Sequence, residues 1–117
     1  MAQYTFLPPE NFLGLDAEHT AYETSQVVVV PIPFEATVSY MGGTKNGPRA
    51  IIQASTQIEL YARDFRSEPA LDYGVHTLPY LALGHSTIES ALDSIAAVVA
   101  EHAGAGKLVV GLGGEHT

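Results

Sequence analysis

The chain has 117 residues, 46% of them hydrophobic and 15% charged, with 11 glycines, 7 prolines and no cysteine. That balance describes one small globular domain and excludes a disordered, collagen-like or coiled-coil chain. The net charge of −8, with five lysines and arginines in all, leaves no basic stripe for phosphates and argues against nucleic acid as a partner; the lack of cysteine excludes a disulfide scaffold and a thiolate zinc site.

The first 25 residues are polar and irregular, with Pro8-Pro9 and scattered acids, and read as an arm. They carry neither a basic segment nor a continuous apolar one, so no signal peptide is expected. No apolar run approaches the ~20 residues that cross a bilayer. A cytoplasmic protein with no membrane partner is the expectation.

Val27 to Val30 form a continuous β-branched run, the pattern of a strand buried on both faces. Pro31 and Pro33 are expected to end it. The loop EATVSYMGGTKNGP follows, with Gly42-Gly43 and Gly47-Pro48 as its turn signals. It is long beside the usual ~2–6 residues of a strand-to-helix connection. Pro48 suits the first turn of a helix. Ile51, Ile52, Ser55, Ile58, Tyr61, Ala62 and Phe65 recur at three and four, which predicts a helix to about residue 64.

YGVHTLPYL reads as a weaker strand near 73–78. The segment after it is the clearest helix. Ser86 with Glu89 three residues on predicts a capping box, and Gly104 a stop. Ile88, Ala91, Leu92, Ile95, Ala96, Val99 and Ala100 would make the buried stripe. Leu108 to Leu112 form a third, wholly apolar strand.

The order strand, helix, strand, helix, strand predicts an α/β fold with right-handed crossovers and a parallel sheet. Placing the first strand in the middle, order 2-1-3, puts one helix on each face. The third strand is then an uncharged edge, which invites another strand. The arm spans 1–25 and the βαβαβ unit 26–117 of a single domain.

Two glycine-rich segments do not qualify as nucleotide motifs. GLGGEH has His116 where the dinucleotide fingerprint needs glycine, and AGAGKL precedes a strand and lacks the hydroxyl residue of a phosphate loop. Of five histidines, His19, His76, His85 and His102 have no partner at ligand spacing and read as structural. His102 near a helix C-terminus complements the helix dipole.

His116 differs by position. Ligands of open α/β sheets bind beyond the carboxyl ends of the strands, and residues 113–117 follow the third strand directly. Gly113 and Gly114 let the backbone turn sharply. Imidazole suits manganese, iron, nickel or zinc, and a nearby carboxylate favours the harder ions. A metal ligand and a plain turn histidine are both open on these grounds. The loop after the first strand ends on the same side, where Tyr40, Gly43, Thr44 and Lys45 either line a pocket or cap the sheet.

GGEHT resembles the first metal-binding signature of the ureohydrolases (arginase, agmatinase and relatives), commonly Gly-Gly-Asp-His-Ser. VPIPFEATVSYMGGTKNGPRAIIQAS, followed by ELY, resembles the N-terminal segment of the agmatinase branch, and ENFLGL is similar to that branch's arm. The resemblance covers nearly the whole chain. It implies a three-layer α/β/α sandwich around a mostly parallel sheet, of which this chain carries an N-terminal portion. The implied reaction is hydrolysis of a small cationic guanidino compound, such as agmatine to putrescine and urea, at two Mn(II) ions that acidify a bound water. His116 would then bind one manganese, with Glu115 orienting the turn around it. Glu115 and Thr117 stand where Asp and Ser are commoner. The family's later Asp-Ala-His-x-Asp and Ser-x-Asp-x-Asp motifs, with five of the six usual ligands, do not occur in these 117 residues, so the chain alone is expected to be inactive. The other expectation is a non-catalytic module that forms homo-oligomers through its third strand.

Overall fold

The computed structural model describes residues 10–36, 41–83 and 87–117. Three parallel strands, β1 (Val27–Ile32), β2 (Val75–Thr77) and β3 (Leu108–Gly113), make one sheet in the order β2-β1-β3. β1 pairs with β2 from Val27 to Val29 and with β3 along its whole length, Val27 opposite Leu108 and Ile32 opposite Gly113. The α/β class and the 2-1-3 order are those the sequence pattern predicts.

Val28, Val29 and Val30 are each no more than 2% exposed, as a central strand covered on both faces requires. Alternate residues of β1 serve two separate cores. Val27 and Val29 face the arm, packing with Leu15, Val75, Leu71 and Leu112. Ile32 lies on the opposite face, with Phe34, Leu83, Ala91 and Ile95. The latter two belong to helix α3 (Ile88–Gly104), so α3 covers one face. Helix α1 (Gly47–Ser55) joins the arm on the other, where the Ser55 hydroxyl accepts the Leu13 N–H at 2.8 Å.

β1 runs through Pro31 rather than stopping there. Leu81 donates to the Pro31 carbonyl at 3.1 Å, so the nitrogen of Pro31 faces that same side, beyond the last residue of β2. A missing N–H costs nothing where no strand waits for it.

α1 ends at Ser55, nine residues before the expected end near 64. The Ser55 hydroxyl donates to the Ile52 carbonyl at 2.6 Å and the Thr56 hydroxyl to the Gln53 carbonyl at 2.8 Å. These side chains compete with the helical ladder just where it stops. Ile58, Tyr61 and Phe65, assigned to a buried face by their spacing, are exposed. A short helix not anticipated, α2 (Pro69–Tyr73), precedes β2 and ends at Gly74, whose φ of 73° needs glycine.

The cap of α3 is Thr87, whose hydroxyl accepts the Ser90 N–H at 3.1 Å; Ser86 lies outside the described residues. N3 of the helix is therefore Ser90, and Glu89 falls one position short of a capping box. The expected buried stripe is only partly buried. Ala91 is fully covered, while Ile88, Leu92 and Val99 stay exposed. A sheet of three strands with β3 at its edge is narrower than the apolar arc of the helix above it.

Candidate functional site

β1 and β3 run parallel and in register, so their carboxyl ends emerge together. The Gly113–Thr117 turn therefore lies against the residues that leave β1. The Glu115 N–H donates to the Phe34 carbonyl at 3.2 Å. The Ala36 N–H donates to Glu115 Oε1, and the Thr117 hydroxyl to Glu115 Oε2 at 2.6 Å. Both carboxylate oxygens of Glu115 are thus engaged in holding the turn.

The double glycine divides into two different cases. A Cβ on Gly113 would meet nothing within 4 Å, whereas one on Gly114 would lie 2.4 Å from the Phe34 carbonyl oxygen and 3.1 Å from that of Thr44. Neither glycine has a positive φ. Gly114 is required by close approach of three backbone segments and not by turn conformation.

The 41–46 loop reaches the same end. Gly43 is left-handed at φ 114° and leads into a 3-10 turn at Thr44–Asn46. Glu35 Oε1 accepts the Gly43 N–H at 2.7 Å, the Thr44 hydroxyl at 3.0 Å and the Lys45 N–H at 3.2 Å. The Gly43 amide, then the Lys45 amide and the Thr44 hydroxyl, hold this carboxyl below its ordinary value. No motif in the sequence marks Glu35. Its signal was an acid at a strand end, facing a Gly-Gly-Thr turn eight to ten residues later.

Gly43, Thr44 and Glu115 are thereby brought together at the strand ends. His116 is exposed beside them. Tyr40 lies outside the described residues. One imidazole does not complete a metal centre, and no group of three His, Cys, Asp or Glu is placed to hold an ion among the described residues.

The other histidines are used elsewhere. His102 Nδ1 meets the Tyr22 hydroxyl at 2.8 Å, His76 Nδ1 meets the Thr20 carbonyl at 2.8 Å, and His19 Nδ1 meets Asp16 at 2.6 Å. His85 lies outside the described residues. Lys107 of the AGAGKL segment donates to the carbonyls of Tyr22 and Ser25, both at 2.8 Å. A cleft of about 350 Å³ opens between Lys45, Arg49, Tyr80 and Leu81. Arg49 stacks over Tyr80 at 4.7 Å and pairs with Glu10 at 3.5 Å. No helix among the described residues is long and apolar enough to cross a membrane.

The comparisons with known proteins agree with this geometry. The chain is 40% identical to an N(1)-aminopropylagmatine ureohydrolase of Synechocystis sp. over 92% of its own length and 36% of the relative's. It is 34% identical to an agmatinase of Bacillus anthracis, over 84% of this chain and 33% of that one. The crystal structure of an agmatine ureohydrolase of Thermoplasma volcanium superposes with a TM-score of 0.76 at 32% identity, covering 86% of this chain and 34% of the other. The chain thus spans about a third of the length of the curated relatives it matches. Residues 25–117 match the family described as Arginase family, and the chain belongs to that family.

Proposed function

We propose that this chain is the N-terminal third of a manganese-dependent ureohydrolase acting on agmatine or its aminopropyl derivative. The observation that carries the reading is the pinned turn. Gly114 and Glu115 lock the backbone before His116 to the exit of β1, while His116 itself is left exposed. A metal ligand needs a fixed backbone and an imidazole that an ion can reach, and the turn offers both. Manganese supplies the means of making a hydroxide nucleophile near neutral pH. His116 is one ligand, and the rest belong to the remainder of the enzyme. Glu115, with both oxygens engaged, keeps the turn in place and is not itself a ligand.

The substrate class rests on the named relatives, which are agmatine or aminopropylagmatine hydrolases, and on the net charge of −8, which favours a cationic ligand. The enzyme would work in the cytoplasm. The test is urea release from agmatine and from N(1)-aminopropylagmatine with Mn(II). We expect release by the complete gene product and none by pure 117-residue chain. No release from either compound by the complete product sinks the reading.

A second reading has its own observation. β3 is the sheet edge, with Leu108 65% and Val110 38% exposed. An uncovered apolar edge pairs readily with another strand, which favours a non-catalytic assembly module forming homo-oligomers. Sedimentation of the 117-residue chain as a monomer at high concentration removes it.

A further inference from the structure

We propose that Glu35 is a positioning residue that fixes the 43–45 segment as one wall of the substrate entrance, and so sets substrate affinity rather than turnover. The inference rests on the ureohydrolase reading above and names a residue that the metal-site motif does not include.

The carboxylate sits three residues past the end of β1, and Gly43 to Lys45 close over it. Three donors converge on its Oε1: the amides of Gly43 and Lys45 and the hydroxyl of Thr44. Successive amides closing round an oxyanion make a nest whose shape depends on that anion. Gly42 shows how close the wrap is, since a Cβ there would lie 3.3 Å from Glu35 Oε2. Without the carboxylate, two backbone N–H groups lose their partner and the left-handed turn at Gly43 loses its template.

The wrapped segment is not remote from the turn that bears His116. The Thr44 carbonyl is one of the two backbone oxygens crowding Gly114, and Gly47 stands against the Gly113 carbonyl, its ideal Cβ 3.3 Å away. Loop and turn therefore form one rim at the strand ends, where α/β sheets bind their ligands. The hydrogen bonds of the two halves are separate sets, however. Glu115 is fastened to Phe34 and Ala36, while Glu35 fastens Gly43, Thr44 and Lys45. Loosening the second set leaves the bonds of the first intact. The imidazole keeps its place, and the entrance wall does not. A wall that helps bind substrate equally before and during reaction acts on KM with kcat preserved.

The experiment compares wild type, Glu35→Gln and Glu35→Ala in the complete gene product, with urea release as the assay and bound manganese as a control. For Glu35→Ala we expect KM to rise roughly tenfold, kcat to stay within about twofold, and manganese content to hold. Glu35→Gln, which keeps an oxygen acceptor without the charge, should fall between. Hydrogen exchange at the Gly43 and Lys45 amides should speed up in the same order, a local change that global destabilisation would not confine to them. An unchanged KM in an active wild-type background overturns the proposal alone, as does a fall in kcat at constant KM. Absence of urea release by wild type overturns the functional reading first, and the proposal with it.

Discussion

Replacing Gly114 by alanine tests whether the turn is held by backbone crowding. The new Cβ would sit 2.4 Å from the Phe34 oxygen, where ordinary contact begins at 3.4 Å, so the backbone must retreat by about 1 Å. Both crowding atoms are main-chain carbonyl oxygens, and no rotamer change relieves them. The retreat breaks the Glu115 N–H bond to Phe34 and the Ala36 N–H bond to Glu115. At ~0.5–1.5 kcal/mol each, their loss amounts to about 1–3 kcal/mol. Urea denaturation of the 117-residue chain reads this as a lowered midpoint at constant slope. Gly113→Ala is the internal control. Its Cβ enters open space, and the change should be neutral within about 0.5 kcal/mol. On the proposed function, a displacement of ~1 Å at the turn that bears His116 should cost the complete gene product up to ~10²-fold in activity. Equal midpoints for Gly114→Ala and wild type, or equal losses for the two alanine variants, would refute the crowding argument.

Two further outcomes follow from contacts of the arm. Asp16 and His19 meet at 2.6 Å; the pair raises the histidine above its ordinary 6.5 and lowers the acid below its ordinary 3.8, each chiefly through their shared hydrogen bond. The histidine's contribution is whole below pH 6.5 and fades as pH climbs through its raised value. The acid's is whole above pH 3.8 and fades as pH falls through its lowered one. Stability of wild type relative to His19→Gln should therefore be greatest and flat between those limits in a pH series, and a difference growing above pH 6.5 would contradict it. Lys107→Met removes an ammonium that bonds two carbonyls and lies 4.7 Å over the Tyr22 ring. It should cost about 1–3 kcal/mol in thermal or urea unfolding, and an unaltered melting temperature would count against the clasp.

Much of this architecture could be read from the chain because one strand dominates it. Four successive valines bounded by loops admit few arrangements, and a strand apolar on both faces belongs in the middle of a small parallel sheet. The limits of the helices were harder to read. The three-and-four spacing of Ile58, Tyr61 and Phe65 imitates a helix that Ser55 and Thr56 have already ended through side-chain bonds. α2 carried a signal, Pro69 at its start and Gly74 beyond its end, but five residues are too few for periodicity to register. At the strand ends, the motif drew the eye to His116. Glu35, which gathers more hydrogen bonds in the structure than its place in the sequence foretells, needed three dimensions to be noticed. The distinct roles of Gly113 and Gly114 depend on carbonyls at Phe34 and Thr44 that no local pattern reveals.

The position of β1 also governs when this unit can assemble. Of the three described strands, β1 is made first, both others pair with it, and its entire length pairs with β3. The arm just before β1 is clasped by groups 80 to 85 residues further on, at His102 and Lys107. These pairings span most of the chain, so closure of a long loop must precede their gain. A nascent chain would hold Val27 to Val30 ready, unpaired on one side, until Leu108 to Gly113 had left the ribosome. During that interval the valine run is the segment most exposed to aggregation, and a chaperone that binds short apolar stretches would find it first.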